Sequence, residues 1–409
     1  MAMNNHYLNR RQFMLLTGAT MYAAYGHTNT NKTTSLLVTN NDIAITLQWL
    51  QHMRDSQSGL LYYMDKGVAH FLSPLATAKT AIWAAKLGQT GLLQQCAKAL
   101  VTAQQQLAKQ HTHLAGALAS SYQNTPKGLE AGQYVYACEQ LVAIYAWLEA
   151  AQHLNDNSWV KYAQQNAKFL QKTFFNGKAL GIWQQAYPVP FNYLTTANAY
   201  ENTMRNGVEF LWIVALERLY QATGEPQWHQ MYQDALGFYL QSQADNGLWF
   251  DTFYPDKKQW AWFSKENVVA DNMLRCAIAA KLNHQDTQVA QFLSLIEPKQ
   301  HYYLAGYLST HTGKSGFIVN DPPYFDIVST ALLRNLYSLL GNVQQAEQCQ
   351  RALAGLKPKQ GGYYWGRYMQ SLKPVADEKA VITTLWASAN LSPTFKPLVN
   401  KQHKGAKTT

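Results

Sequence analysis

The sequence predicts an all-α fold in which six helical hairpins close into a ring, an (α/α)6 toroid with short aromatic, β-like loops between the hairpins. Three observations carry this prediction. Long segments have the apolar periodicity of helices, these segments occur in pairs separated by Gly, Pro or Asn, and one unpaired segment lies near each end. With 409 residues, the chain is long enough to bury one large core.

Residues 206–242 show the hairpin pattern most clearly. Its first arm, 208–220, is apolar on almost every side, which predicts a helix that is buried all round. The segment 223–226 (TGEP) then breaks the helix. The second arm is apolar on one face only and has Gln and Asp between the apolar positions, which predicts an outer helix. The unit is therefore a hairpin of one buried arm and one surface arm.

The same pattern recurs along the chain. The other hairpins are 76–107, 134–173, 267–296 and 325–356. Their buried arms begin about 55 to 70 residues apart, farther than the 34-residue period of a common helical solenoid. A lone amphipathic arm lies at 41–55 and a lone buried arm at 379–390. We expect these two arms to pair, so that the last helix joins the first and the sixth hairpin closes the ring.

Loops with a shared glycine and aromatic pattern lie between the hairpins. They are SGLLYY (58–63), LGIWQQAY (180–187), NGLWFDTFY (246–254) and GGYYWGRY (361–368). A Gly precedes apolar and aromatic residues that alternate as in a short strand. Two interpretations stay open here: the loops seal the helix pairs, or they line a substrate site.

The amino-terminal segment 1–26 has the pattern of an export signal. A polar start and two Arg precede a short apolar run and small residues. The order Arg10-Arg11-Gln12-Phe13-Met14 resembles a twin-arginine signal. The alternative is an amphipathic helix with a chance Arg pair. A signal predicts the Tat export machinery as a partner and a periplasmic or secreted protein. The rest of the chain is predicted to be a single toroid domain at 27–395 and a basic flexible tail at 396–409.

Composition narrows the class of partner. The formal net charge is +10, but Arg10, Arg11 and four tail lysines supply six of these charges, which leaves a mildly basic body. That body lacks the Lys/Arg stripe of a nucleic-acid-binding protein, although it allows an anionic substrate. No run reaches the length of a membrane-spanning helix. The scattered Cys and His predict neither a metal site nor a cofactor. Aromatic residues make up 13% of the chain, which favours a sugar-binding surface.

A more specific resemblance rests on one run of residues. It comprises Asn206-Gly207, Phe210, Trp212, Leu219-Tyr220, Thr223-Gly224 and Asp245-x-Gly247-x-Trp249, with Ser73-Pro74 ahead of an Ala-rich helix. The six-hairpin pattern resembles a group of carbohydrate-active enzymes that includes polysaccharide lyases, glycoside hydrolases and sugar epimerases. Within that group, this run is similar to the carboxy-terminal domain of D-glucuronyl C5-epimerases. The resemblance implies a polysaccharide substrate and covers mainly 73–254.

In such a toroid the buried helices converge, so polar residues at their amino-terminal ends are expected to face one central cleft. The predicted catalytic residues are Glu209, Asp271, Glu139, Tyr200 and Tyr324. The predicted substrate-binding residues are Arg205, Asn206, Trp249, Trp260, Asp326, Tyr364 and Arg367. Carboxylates within apolar arms are costly unless they are paired or functional. The alternative is therefore that the acids form buried ion pairs with Arg205, Arg218 or Arg275.

Two chemistries fit these residue types. Processing of a uronic acid, by β-elimination or C5 epimerisation, needs a neutralised sugar carboxylate, a base for the C5 proton and a second proton-transferring group. Glycoside hydrolysis needs an acid and a second carboxylate on either side of the bond. The abundant Tyr and the mildly basic body favour an acidic sugar. Together with the signal at 1–26, they predict an exported enzyme that acts on an acidic polysaccharide. Glycoside hydrolysis and a non-catalytic glycan-binding toroid are the alternatives.

Overall fold

The structure of the protein is a computed structural model that describes residues 40–67, 70–132, 134–175, 204–254, 257–262, 267–296, 307–309, 317–318, 324–364, 366–368 and 378–395. Several predictions lie outside these ranges: the export signal 1–26, the loop 180–187, Tyr200 and the tail 396–409.

The described helices form two concentric layers. The outer helices are α1 (Asn40–His52), α3 (Thr90–Gln110), α5 (Val160–Thr173), α8 (Pro226–Leu240), α10 (Asp286–Ile296) and α12 (Val343–Gly355). The inner helices are α2 (Pro74–Lys86), α4 (Ala137–His153), α6 (Val208–Trp212) with its continuation α7 (Val214–Thr223), α9 (Ala270–Leu282), α11 (Ile327–Leu339) and α13 (Val381–Ser388).

The inner helices form a closed ring. Each packs against the next in the order α2, α4, α6/α7, α9, α11 and α13, and α13 packs back against α2. Each outer helix packs on its inner partner, and α1 packs on α13. The two lone arms of the sequence therefore make the sixth hairpin, and the predicted all-α (α/α)6 toroid is confirmed.

Burial explains why the two layers differ in sequence. In the inner helix α4 every residue from 139 to 151 is buried, because the helix has neighbours on all sides. In the outer helix α5 burial is confined to one face, and Lys161 and Lys168 on the opposite face are exposed. The apolar stripe of α5 thus packs on the inner layer while its polar face meets solvent.

Short antiparallel strands connect the hairpins. They are β1 (Leu61–Tyr62), β2 (Leu72–Ser73), β3 (Tyr122–Thr125), β4 (Gly128–Ala131), β5 (Met204–Arg205), β6 (Thr252–Tyr254), β7 (Gln259–Ala261), β8 (Asn267–Val269), β9 (Tyr307–Ser309), β10 (Phe317–Ile318), β11 (Tyr324–Asp326), β12 (Tyr363–Tyr364), β13 (Gly366–Tyr368) and β14 (Lys379–Ala380). The sheets run β1-β2-β3-β4, β5-β6-β7, β10-β9-β8, β11-β13 and β12-β14. In register, Leu61 faces Ser73 and Asp326 faces Gly366. Most of these strands lie where the inner helices begin.

Two of the glycine and aromatic loops are fastened to the first turn of an inner helix in the same way. The backbone N–H of Leu61 donates to Thr77 Oγ1 at 2.9 Å, and that of Tyr363 donates to Thr384 Oγ1 at 2.7 Å. Each Thr is the fourth residue of its helix and donates its own hydroxyl proton to the carbonyl four residues earlier. These two loops therefore seal helix pairs, which is the first of the two interpretations of the glycine and aromatic pattern.

The opposite end of the ring is closed by the end of the chain. Arg334 of α11 donates hydrogen bonds of 2.8 to 3.0 Å to three backbone carbonyls within residues 386–389. Farther along, the N–H of Thr394 donates to the Tyr145 hydroxyl at 3.0 Å. The segment that follows α13 therefore packs against α11 and α4 at this end of the ring.

Within the described residues, no helix combines the length and the apolar character needed to cross a membrane. All four cysteines are free thiols.

Candidate functional site

The amino-terminal ends of the inner helices bring together a group of titratable side chains that we name the inner cluster. Its members are Tyr63, Lys79, Cys138, Glu139, Glu209, Asp271, Arg275 and Asp326. They come from α2, α4, α6, α9, the residue before α11 and the loop after β1. Each is close enough for its charge to act on the pKa of another member. Residues far apart in the sequence thus share one site.

Glu139 is the third residue of α4 and is 6% exposed. Burial, together with the nearby charge of Glu209, raises the pKa of Glu139 to about 8, although a hydrogen bond from the backbone of Tyr136 opposes this shift. At neutral pH the Glu139 carboxyl group therefore keeps its proton. A buried carboxylic acid beside a second carboxyl group is the arrangement that supplies a general acid.

Asp326 has a structural role at the start of α11 as well as a place in the inner cluster. Its carboxylate precedes α11 and accepts a hydrogen bond from the N–H of Ser329, as an N-cap does. Burial and then the charge of Asp271 raise the pKa of Asp326 to about 6. The residue lies in the inner cluster, but its carboxylate also holds the first turn of α11.

Asp271 and Arg275 form an ion pair one helical turn apart on α9. The Nη2–Oδ2 distance is 2.8 Å, and Arg275 Nη1 also donates to Asn272 Oδ1 at 3.0 Å. The Arg275 side chain is 7% exposed and that of Asp271 is 23% exposed. The pairing alternative from the sequence therefore applies to Asp271, while the carboxylate remains accessible enough to meet a ligand.

Gly207 fixes the distance between α6 and α9 beside this ion pair. Its φ of +94° lies in the region that favours glycine. A Cβ at this position would lie 2.8 Å from Asn272 Oδ1, the atom that holds Arg275. The Asn206-Gly207 pair of the sequence therefore has a packing role next to the inner cluster.

Lys79 is one of the inner-cluster members that the sequence did not identify as site residues. Tyr63 and Cys138 are others, and Arg275 was expected only as an ion-pair partner. Lys79 is the sixth residue of α2, the same helical position that Arg275 has in α9, and it is 2% exposed. Burial, followed by the charge of Arg275, lowers the pKa of Lys79 to about 7. The available signal was one Lys in a stretch of small and apolar residues, PLATAKTAIWAA.

Two predicted ligand-binding residues lie in the packed interior instead. The Trp249 ring is 0% exposed and packs on Phe292 at 5.4 Å between centroids, so it has no free face for a sugar. The Asn206 side-chain amide donates to Ser242 Oγ and to the carbonyl of Phe250. Both residues stabilise loops within the run at 206–249. This structural role explains why the run indicated the fold better than the site.

Trp260 and Tyr364 are partly exposed, and other side chains contact part of each ring. The Trp260 ring lies 4.8 Å from Phe238 and 5.3 Å from Phe253. The Lys379 Nζ lies 5.6 Å from the Tyr364 ring. Both residues stay predicted substrate contacts.

For three further predicted residues the structure describes the backbone alone. Arg205 lies on β5 opposite Thr252, Tyr324 begins β11, and Arg367 lies on β13 opposite Phe325. Their proposed contacts with substrate, and those of Tyr200, stay predictions.

A pair of tyrosines leads from the surface to Glu139. The rings of Tyr134 and Tyr136 stack at 6.1 Å between centroids and 19° between planes. Tyr134 is 38% exposed, whereas Tyr136 is more buried, and burial followed by the charge of Glu139 raises the pKa of Tyr136. The pair therefore offers an aromatic face that adjoins the inner cluster.

Within the described ranges, no three His, Cys, Asp or Glu side chains converge as ligands for a metal ion.

No protein-family model matches the sequence, and no curated protein matches it. Solved structures do share the fold. An alpha-amylase from Clostridium perfringens has a TM-score of 0.63 at 12% identity, covering 87% of this chain and 98% of the other. The cellobiose 2-epimerase from Bacillus thermoamylovorans has a TM-score of 0.62 at 12% identity, covering 85% and 97%.

A third similar structure is the unsaturated glucuronyl hydrolase from a Bacillus species, described as responsible for the degradation of glycosaminoglycan. Its TM-score is 0.58 at 12% identity, and the match covers 85% of this chain and 93% of the other. At such low identity these similarities establish the toroid fold of the chain.

Proposed function

We propose that the protein is a carbohydrate-active enzyme that uses the inner cluster to process an acidic polysaccharide. The observation that carries this proposal is the protonated Glu139 beside Glu209, in a buried site that also contains Lys79 and Arg275. The likeness of the fold to an amylase, an epimerase and a glucuronyl hydrolase supports a sugar as the substrate. Since Arg275 pairs with Asp271, Lys79 is the side chain of this cluster that favours a sugar with a negative charge.

Uronic-acid processing is the first candidate reaction. Removal of the C5 proton leaves charge on the adjacent carboxylate, and nearby cationic groups stabilise this charge. In β-elimination the C4–oxygen bond then breaks, and Glu139 is poised to give its proton to the leaving oxygen. In C5 epimerisation a proton returns to the opposite face. Tyr200 and Tyr324 remain the proposed bases. The resemblance of the run at 206–249 to D-glucuronyl C5-epimerases is consistent with this class of reaction.

Glycoside hydrolysis is the second candidate, and the Glu139–Glu209 pair favours it specifically. The charge of Glu209 helps to raise the pKa of Glu139, so the two groups fit an acid and a second carboxylate. Such a division of roles is what hydrolysis of a glycosidic bond requires. The exposed face of Tyr134, which is stacked on Tyr136, supports a chain-like substrate in either case, since sugar rings stack on aromatic faces.

A panel of glycans tests the proposal. The purified protein is incubated with uronic-acid-containing and neutral polysaccharides. A new ultraviolet absorbance from an unsaturated product would support β-elimination, and deuterium entering C5 from heavy water would support epimerisation. New reducing ends without either signal would favour hydrolysis over uronate chemistry. Binding of a glycan without any product would favour the non-catalytic toroid.

We further propose that residues 1–26 direct the protein out of the cytoplasm through the twin-arginine route. The order of Arg10, Arg11, Phe13 and Met14 supports this, as does the extracellular location of most polysaccharides. Replacing both arginines by lysine is expected to keep the full-length precursor inside the cell, because the receptor for such signals reads the arginine pair. Cell fractionation measures this, and export of the Lys-Lys variant at the normal level would contradict it.

A further inference from the structure

We propose that Lys79 binds the carboxylate of the sugar and thereby selects acidic over neutral substrates. This inference rests on the proposed function and assigns its substrate preference to one side chain. Three features of the inner cluster support it: the burial of Lys79, the state of its charged neighbours, and its position in the ring.

The first feature is a buried cation that has no acidic partner among the described residues. Lys79 is 2% exposed, and among the described residues no carboxylate makes an ion pair or a hydrogen bond with its Nζ. The Nζ instead lies 5.7 Å from the ring centroid of Trp386 on α13. Buried charges are normally paired, because an unpaired charge loses its hydration without compensation. An amine in this position is therefore suited to an anion that arrives with the ligand.

The second feature is that the neighbouring charges do not supply this anion. The titratable groups that act on Lys79 are Arg275 and Asp271 of α9 and Cys138 of α4, while α13 faces it with Trp386. The Asp271 carboxylate already pairs with Arg275. Burial raises the pKa of Cys138 well above its usual range, so this thiol stays neutral near pH 7. The surroundings of Lys79 thus contain a cation, a compensated acid and a neutral thiol.

The third feature is the position of Lys79 in the ring. Lys79 and Arg275 are each the sixth residue of an inner helix, and both belong to the inner cluster with the acid Glu139. A carboxylate that contacts Lys79 would place the sugar in the site that holds the proton-donating group. Because Arg275 is engaged with Asp271, Lys79 is the cation of the inner cluster that is available to the ligand.

This assignment has a proton-linked consequence. Burial lowers the pKa of Lys79 to about 7, so the amine is largely neutral at about pH 8. A bound carboxylate favours the ammonium form and raises the pKa of Lys79. Binding of an acidic sugar at about pH 8 should therefore take up as much as one proton from the buffer, and binding of a neutral sugar should not.

The experiment compares two ligands and three proteins. The ligands are a glucuronate–N-acetylglucosamine hexasaccharide and the same hexasaccharide after its carboxylates have been reduced to alcohols. The proteins are the wild type, Lys79→Met, which keeps the length of the side chain without its charge, and Lys98→Met, which removes an exposed lysine of α3. Calorimetry in two buffers of different ionisation enthalpy gives both the affinity and the proton uptake.

We expect the wild type and Lys98→Met to prefer the acidic hexasaccharide and to take up a proton at about pH 8. In Lys79→Met the affinity for the acidic ligand should fall about tenfold to a hundredfold, with the affinity for the reduced ligand unchanged. The uptake due to Lys79 should disappear. Glu139 also has a pKa of about 8, so the difference in uptake between wild type and variant is the decisive quantity.

The outcomes separate this inference from the proposed function. If the wild type binds and converts the acidic ligand while Lys79→Met keeps the same preference and proton uptake, the assignment of Lys79 is wrong and the proposed function stands. If the wild type prefers the reduced ligand, or binds neither, the acidic substrate and the role of Lys79 are both overturned.

Discussion

Replacing Glu139 with Gln is expected to lower kcat on the acidic or neutral glycan by about 10²- to 10⁴-fold, the contribution that a positioned general acid makes. The physical reason is that Gln has nearly the shape of the protonated side chain but has no acidic proton to transfer. Burial and the charge of Glu209 keep that proton on Glu139 at neutral pH. Substrate affinity should change little, since the loss lies in the proton-transfer step.

The pH dependence provides a second measurement of the same prediction. Wild-type kcat should fall as the pH rises through about 8, the pKa of Glu139, because the acid then loses its proton. The stability of the fold should also fall at alkaline pH. The raised pKa of Glu139 stabilises the folded state fully below pH 4.5, the ordinary pKa of Glu, and this contribution is lost as the pH rises through about 8. Glu139→Gln should not show this alkaline loss.

The matched control for Glu139→Gln is Glu347→Gln on the outer helix α12, where a partly exposed carboxylate is removed far from the inner cluster. This variant should retain wild-type kcat and the same pH profile. If Glu139→Gln converts a glycan with the same kcat as the wild type, Glu139 is not the general acid.

Replacing Arg218 with Met is expected to lower the free energy of unfolding by about 3–5 kcal/mol, the cost of removing one partner of a buried ion pair. Arg218 of α7 is 1% exposed, and Glu149 of α4 is 7% exposed. Arg218 makes an ion pair with Glu149, donates to Gln152 Oε1 at 2.9 Å and lies over the Tyr145 ring at 4.6 Å. Removing the guanidinium leaves the buried Glu149 carboxylate with the partly exposed His153 ring, at 3.3 Å, as its remaining ion-pair partner among the described residues.

Denaturant unfolding measures this loss, and the double variant Glu149→Gln/Arg218→Met is the control. Since it removes both charges, it should recover a large part of the stability that the single variant loses. Glu149 lies ten residues after Glu139 on α4, about 15 Å along the helix. The folded fraction of each variant should therefore keep its kcat. A double variant no more stable than Arg218→Met would contradict the ion-pair explanation.

The acid limb of stability reports on the same pair. Burial opposes ionisation of Glu149, but hydrogen bonds from His153 and Arg218 outweigh it and lower the pKa of Glu149 to about 2. A lowered pKa stabilises the folded state above the ordinary value of 4.5, and this contribution is lost as the pH falls from about 4.5 towards 2. In Glu149→Gln this part of the acid destabilisation should be absent.

The helical hairpins could be predicted because each rests on local pattern. The segment 208–220 was recognised as buried from its continuous apolar character, and the structure gives α6 and α7 there. The break at Gly224 follows from its φ of +71°, at the end of α7. Closure through 41–55 and 379–390 followed from counting the unpaired arms, and α1 and α13 pack together.

The candidate site was only partly predictable, because the pattern within one helix does not determine how far its side chains lie from those of another helix. A carboxylate in an apolar arm was a usable signal, and Glu139, Glu209 and Asp271 do lie in the inner cluster. A single Lys in an apolar helix is a weaker signal, because its long side chain can reach solvent, and Lys79 was not predicted as a site residue. Trp249 was assigned to the ligand from its place in a shared loop, but its ring is 0% exposed.

The sequence alone determined the number of hairpins, which arm of each is buried, and where each hairpin turns, since apolar periodicity and helix-breaking residues act within a few residues of one another. Only the tertiary structure decided which charged groups meet. Ring closure brings α2, α4 and α9 together, and the resulting loss of water and the proximity of charges set the pKa of Lys79 to about 7 and that of Glu139 to about 8.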